Sequence, residues 1–143
     1  MRRPRGDDGN ALVEFVYLSV LLLIPLVYLL LAVFRVQSAA FGVTEAARQA
    51  GRAYARADDP AAAAQVGAAA ARLALRDQGI TWTGSPEFCG SDGCSLAPGA
   101  TVRTRVRYTV QLPFVGSIFG KGRAGIPVTG VHTEVVDRWK EAP

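Results

Sequence analysis

The sequence predicts an α+β protein. A long N-terminal transmembrane helix is expected to continue into an extracytoplasmic helix, followed by a second, alanine-rich helix and a small antiparallel sheet. Three observations predict this layout: an apolar run over residues 11–36, alanines at helical spacing after it, and alternating apolar and polar residues in the second half. The 143 residues leave room for one span and one compact domain.

The apolar run is long enough to cross a bilayer. Residues 15–34 contain no charged side chain, and twenty helical residues cover about 30 Å of hydrocarbon. Pro25 lies mid-span and removes one backbone hydrogen bond, which predicts a kink. Three of the first five residues are arginine, so the positive-inside rule places the N-terminus in the cytoplasm and residues 37–143 outside.

A cleaved secretory signal peptide is the alternative for this region. It shares the basic start, but its apolar core usually has about 7 to 15 residues and ends at a small-residue cleavage site. The sequence Ser38-Ala39-Ala40 fits such a site, and cleavage there would leave a chain that begins at Phe41. The greater length of the run and the unexplained charge of Glu14 favour a retained span.

Glu14 lies just inside the N-terminal edge of the apolar run. A carboxylate in a membrane segment is penalised by roughly 1 to 3 kcal/mol, less at the edge than at the centre, so a compensating partner is expected. If the chain were cut after Gly9, the new amino group on Asn10 would lie one helical turn before Glu14. The spacing therefore offers a partner for the charge.

These residues together resemble the processing region of the type IV pilin superfamily, and most closely that of the TadE-like pseudopilins of tight-adherence (Flp-type) pilus systems. The resemblance rests on a short arginine-rich leader, then Gly9 and Asn10, and then Glu14-Phe15 at the start of a long apolar helix. It implies that Gly9 is the last leader residue and Asn10 the first mature residue. Glu14 then matches the glutamate at the fifth mature position, and Phe15 the aromatic residue after it.

The resemblance implies a pilin-like layout and a role in assembly. A prepilin-type peptidase would remove residues 1–9 on the cytoplasmic side, leaving a transmembrane helix over residues 10–36 and an extracytoplasmic domain over residues 37–143. Glu14 and Phe15 would dock the subunit, within membrane lipid, on other pilin or pseudopilin subunits and on Tad assembly proteins. No cofactor is expected. The alternative is an unprocessed single-pass anchor of another cell-envelope complex.

Helical spacing continues beyond the apolar run. Residues 37–57 contain no proline, and alanine recurs on one face, so the span is predicted to continue as one uninterrupted helix. Asp59 is the predicted N-cap of a second helix, with Pro60 at its first position. That helix is expected to run to about Gln78, with Gly79 as its C-terminal stop.

The second half of the chain is predicted to form a sheet. A short strand is expected over residues 80–83, a half-buried strand over 101–112 and a returning edge strand over 126–136. The apolar segment 114–119 is either a contact loop or a cover for the core. A turn is expected over residues 120–125.

Three arginines, Arg103, Arg105 and Arg107, share one face of the longer predicted strand. An anionic polymer or an acidic partner subunit would suit them, but a charge row is more often a solvated face, paired across strands with residues such as Glu134. Residues 37–143 carry twelve basic and nine acidic side chains. This small excess does not predict binding to nucleic acid.

Cys89 and Cys94 enclose a turn-rich tetrapeptide. In an extracytoplasmic segment such a pair predicts a disulfide. A redox-active pair is an alternative, although the spacing is not Cys-x-x-Cys. A metal site is disfavoured because no second ligand pair accompanies the only histidine, His132. The sequence has no Gly-x-Ser-x-Gly motif and no phosphate loop, so no enzymatic activity is expected.

Overall fold

A computed structural model describes residues 8–89, 94–112 and 125–139 of the chain. It contains two helices, α1 (Asp8–Arg56) and α2 (Pro60–Asp77), and three strands, β1 (Glu87–Phe88), β2 (Thr101–Gln111) and β3 (Gly125–Val135). The strands form one antiparallel sheet in the order β1-β2-β3. The predicted α+β fold class, with a long N-terminal apolar helix, a second helix and a small antiparallel sheet, is confirmed.

The chain divides into two units, and the division falls between Phe34 and Arg35. In the first unit α1 is the only described element, and it continues through Pro25. Every side chain from residue 11 to residue 27 is exposed. The hydroxyl of Ser19 donates a 2.8 Å hydrogen bond to the backbone carbonyl of Phe15. This bond satisfies a polar group that would otherwise be unpaired in an apolar stretch.

The second unit begins at Arg35 and builds its core between both helices and the sheet. From α1, the small side chains of Ala46 and Ala50 are fully buried. They pack in one cluster with Leu75 of α2 and Val106 of β2. The sheet therefore lies on the helix pair.

Two glycines allow α1 to lie directly on the sheet. A Cβ atom on Gly130 of β3 would collide with the backbone carbonyl of Val43 in α1. A Cβ atom on Gly51 of α1 would lie 3.1 Å from the Thr104 hydroxyl oxygen in β2. The helix and the sheet are therefore in near-backbone contact at Gly130, where a larger residue would force them apart.

Helix α2 has the predicted ends. The carboxylate of Asp59 accepts a 3.0 Å hydrogen bond from the backbone N–H of Ala62, and Pro60 occupies the first helical position. The helix ends at Asp77, and Gly79 follows with a φ of 72°. Glycine adopts this left-handed conformation without steric cost, which explains why the helix stops there.

The strand predicted over residues 80–83 is wrong, because these residues form no strand. The indole Nε1 of Trp82 instead donates a 3.1 Å hydrogen bond to the backbone carbonyl of Arg107 in β2. The indole thus occupies a backbone carbonyl that a neighbouring strand would otherwise use as a hydrogen-bond acceptor. The strand β1 begins later, at Glu87, which lies opposite Arg105.

Strands β2 and β3 match the two longer predicted strands to within one residue at each end. The valines of β2 face the helices and are buried, whereas its arginines lie on the other face, as the alternation predicts. The two strands pair without interruption, from Thr101 opposite Val135 to Gln111 opposite Gly125. The predicted apolar contact segment 114–119 lies outside the described residues, as does all of the predicted turn except Gly125.

Candidate functional site

The candidate site is the N-terminal part of α1, which carries Glu14 and Phe15. Both side chains are exposed, and Phe15 retains 70% of its surface. Within the described part of the chain, no basic side chain forms an ion pair with Glu14. Among the described residues the carboxylate therefore has no cationic partner, and such a partner would lower its free energy in a membrane.

The structure places the predicted processing residues on the same helix as Glu14. Because α1 begins at Asp8, both Gly9 and Asn10 lie in its first turn. Asn10 and Glu14 are four residues apart, about 6 Å along the helix axis, and such positions share one face.

Apart from Asn10 and the hydroxyl of Tyr17, the residues within one helical turn of Glu14 are apolar. Helix α1 is long and apolar enough to cross a membrane and lies near the N-terminus, which is consistent with a single-pass membrane anchor. None of the residues in its most apolar 18-residue stretch is buried. Exposed leucine, valine and isoleucine side chains point in every direction along this stretch, so lipid or other helices must cover them. A signal sequence near the N-terminus would satisfy the same criterion, and the retained span therefore stays a prediction.

The predicted disulfide is present. Cys89 and Cys94 are bonded, with Cα atoms 5.3 Å apart, so neither sulfur is a free thiolate that could bind a metal. The backbone N–H of Cys89 donates a 2.7 Å hydrogen bond to the carbonyl of Arg103. The preceding residue, Phe88, places its ring 4.5 Å from that of Tyr54. The bridge thus fixes the end of β1 against the core of the second unit.

Tyr54 belongs to the core of the second unit, beyond the apolar run. The Tyr54 side chain is 5% exposed, and burial raises the pKa of its phenol because the charged phenolate loses its hydration. The phenol therefore stays protonated and neutral at physiological pH.

Among the described residues, no group of three or more His, Cys, Asp or Glu side chains is arranged to hold a metal ion.

Two of the three arginines on the outer face of β2 pair with Glu87 of β1. The Glu87 carboxylate lies 3.4 Å from the guanidinium of Arg105 and 3.1 Å from that of Arg107. Arg103 forms no ion pair with any residue that the structure describes. Exposed pairs of this kind contribute at most about 1 kcal/mol each. A strand of two residues has no periodicity, so nothing in the sequence points to Glu87.

The expected pairing of the arginine row with Glu134 is wrong. Glu134 lies opposite Val102, and therefore on the face of the sheet that meets the helices. Its carboxylate lies 2.9 Å from His132 Nε2 and 3.8 Å from Arg52 Nε. The nearby hydroxyl of Thr104 is buried and has no hydrogen-bond partner within the described ranges. His132 thus belongs to a polar cluster between α1 and β3.

No family, curated protein or solved structure matched this chain in comparisons of its sequence and its fold. The feature of the chain that points most directly to a function is the carboxylate of Glu14, which lies on a helix whose apolar surface the described residues leave uncovered.

Proposed function

We propose that this chain is a membrane-anchored, TadE-like pseudopilin or minor pilin-like subunit that is needed for assembly of a Tad-type pilus or secretion apparatus. The observation that carries the proposal is Glu14, the one carboxylate on the uncovered apolar stretch of α1. A carboxylate so placed indicates a functional contact, since its presence opposes membrane insertion. A compact unit of helix and sheet follows on the same helix, as in a pilin-like layout.

The proposed topology has the N-terminus in the cytoplasm and the second unit outside the cytoplasmic membrane. Two observations support it. The arginines at the N-terminus favour the cytoplasmic side, and the Cys89–Cys94 disulfide is of a kind that persists in oxidising compartments outside the cytoplasm.

The proposed mechanism is assembly through the membrane helix. A prepilin-type peptidase removes the leader after Gly9 and exposes the amine of Asn10. Glu14 of one subunit then pairs with such an amine on a neighbour, inside a bundle where the low dielectric strengthens the attraction. The apolar surface around Phe15 is covered in the same step. The chain acts by binding other subunits, with no chemistry of its own and no cofactor.

Retention of the span is favoured over signal-peptide cleavage after Ala40. That cut would fall inside α1, within the compact unit that begins at Arg35. It would also remove Ala39, which is 3% exposed and belongs to the core. A signal peptide would have no reason to share its helix with the domain it delivers.

An unprocessed single-pass anchor of another envelope complex is the second candidate. It is favoured by one observation: the peptide bond between Gly9 and Asn10 lies within α1, and proteases cut exposed, irregular segments more readily than helices. In this case the N-terminus would stay intact, and Glu14 would have no partner amine.

The variant Glu14→Ala tests the proposal. Removal of one partner of a buried ion pair leaves the other charge uncompensated, so the amount of pilus or secretion apparatus assembled should fall by at least about tenfold. Membrane insertion should be unchanged or improved, since the span loses its only carboxylate. The measurement is the amount of fibre sheared from cells that carry the variant as their only copy, with the amount of this chain in the membrane fraction.

Glu45→Ala is the matched control. Glu45 lies on the same helix but in the second unit, where its half-buried side chain accepts a 2.6 Å hydrogen bond from Gln49 Nε2 and lies 3.8 Å from the Arg48 guanidinium, both within α1. This variant should assemble like the unmodified chain. Normal assembly of the Glu14→Ala variant would contradict the proposed mechanism.

A further inference from the structure

A groove of about 430 Å³ lies at the start of the second unit. Arg35 and Ser38 of α1 form one side, Gln78 at the end of α2 forms another, and Tyr108 and Gln111 of β2 form the third. These side chains present guanidinium, amide and hydroxyl groups to one space. All are hydrogen-bond donors, and such a set suits a ligand rich in acceptor oxygens.

The donors of this groove are unused within the described part of the chain. No carboxylate there pairs with Arg35, although five other basic side chains, those of Arg48, Arg52, Arg105, Arg107 and His132, each have an acidic neighbour. Asp77 and Glu45 line a neighbouring depression that shares Gln78 with the groove, but neither of these carboxylates lines the groove itself. The charge of Arg35 is therefore uncompensated from within the groove.

The shape of the groove depends on a close approach between α1 and the end of α2. A Cβ atom on Gly42 would lie 3.2 Å from Ile80 Cδ1 and 3.5 Å from Gln78 Cγ. Glycine thus lets the chain after α2 pack on α1 and holds Gln78 beside Ser38. The site is built by the fold of the second unit and is more than a single exposed arginine.

The C-terminal end of α2 does not prevent an anion from binding nearby. Helix ends of this kind carry a negative partial charge on their free carbonyls. Here the carbonyl of Leu75 accepts hydrogen bonds from Gln78 and Ile80, and that of Arg76 accepts one from Gly79. Their partial charge is thus largely satisfied inside the protein.

Arg35 also has a defined depth in the membrane. It follows directly after Phe34, the last of twenty uncharged residues. When those residues occupy the hydrocarbon, the first charged side chain after them lies at the level of the lipid headgroups. The groove residues, which surround Arg35 within one compact unit, are brought to that level with it.

We propose that this groove binds the phosphate of a phospholipid headgroup. Arg35 donates two parallel hydrogen bonds to the phosphate oxygens, a geometry that guanidinium and phosphate share. Ser38, Gln78 and Gln111 supply neutral donors to the remaining oxygens and to the headgroup. The lipid would fix the groove residues of the second unit at the membrane surface. This inference requires only that the apolar run of α1 is in a bilayer, and not that the chain is a pilin.

The test is lipid retention by the full chain in detergent, measured by native mass spectrometry. The probes are phosphatidylglycerol and a diacylglycerol with the same acyl chains, which lacks the phosphate. The unmodified chain should bind phosphatidylglycerol at least about fivefold more tightly, the effect of one basic residue at a lipid surface. Arg35→Gln should abolish this preference. Gln111→Glu, which places a negative charge in the groove, should abolish it as well.

Arg103→Gln is the matched control, since it makes the same charge change near the opposite end of β2, at an exposed position. It should keep the preference. The proposal is overturned if the unmodified chain binds both lipids equally, or if Arg103→Gln is as damaging as Arg35→Gln. It is also overturned if Gln111→Glu has no effect, because Arg35 would then act as an isolated interfacial charge. Displacement of the lipid by excess inorganic phosphate would indicate a site for a free anion instead.

Discussion

Gly130 is the residue on which the packing of α1 against the sheet depends most. A Cβ atom there would collide with the carbonyl of Val43, and both partners are backbone. Gly130→Ala should therefore destabilise the second unit by about 2 kcal/mol, because a strand or a helix must shift to make room. Thermal unfolding of the full chain in detergent, followed by near-ultraviolet circular dichroism, should show a Tm lower by about 10 °C.

Val131→Ala is the control for this substitution. Val131 is the next residue of β3 and faces away from the helices, with 42% of its surface exposed. Its truncation should change the Tm by less than about 3 °C. An equal fall in Tm for the two variants would mean that α1 does not approach β3 as closely as the structure indicates.

At the residue scale, the sequence reveals what contrasts with its neighbours. Glu14 is conspicuous because it is charged within an apolar run, and Cys89 with Cys94 because they are the only cysteines. The sequence does not reveal which residues form the face of β3 that meets the helices. There His132 and Glu134 face the helices while Val131 is exposed, the reverse of the usual alternation. This inversion depends on the contact with Arg52 of α1, which no local pattern can show.

At the scale of elements, the disulfide stabilises the connection between β1 and β2. It closes a loop of six residues, from Cys89 to Cys94, and the loop-entropy estimate for this length is about 2 kcal/mol. Replacing both residues, Cys89→Ser with Cys94→Ser, should lower the free energy of unfolding by about that amount. Urea titration of the full chain in detergent would measure it from the midpoint at constant slope.

Glu87→Gln is the comparison for the disulfide variant. It removes the exposed ion pairs with Arg105 and Arg107 from the same strand, at an expected cost below about 1 kcal/mol. A loss as large as that of the disulfide variant would show that the arginine row contributes more to stability than its exposure suggests. An unchanged free energy of unfolding in the disulfide variant would mean that the bridge does not constrain the unfolded chain.

Elements with their own local signals were predictable, and those that depend on partners were not. Helix α2 has an N-cap at Asp59 and a left-handed glycine at Gly79, both of which act within a few residues. Residues 80–83 have the composition of a strand, yet the indole of Trp82 occupies the β2 carbonyl that a strand would need. Strand β1 exists only because β2 offers a free edge beside it.

At the scale of the whole molecule, the two units differ in what covers their apolar surface. The second unit buries its own, between α1, α2 and the sheet. The first exposes its apolar side chains along one helix, and the composition of residues 11–36 was enough to predict this. The groove at Arg35 could not be predicted, because its three sides come from segments that are far apart in the sequence.

The proposed function requires that the chain matures into a subunit whose new N-terminal amine serves assembly. The most direct test is the N-terminal residue, determined by mass spectrometry, of the protein recovered from its native membranes. We expect a chain that begins at Asn10, and we expect Gly9→Leu to block this processing. A chain that begins at Met1 would rule out leader removal in favour of an unprocessed anchor, and one that begins at Phe41 would show that the span is only a signal peptide.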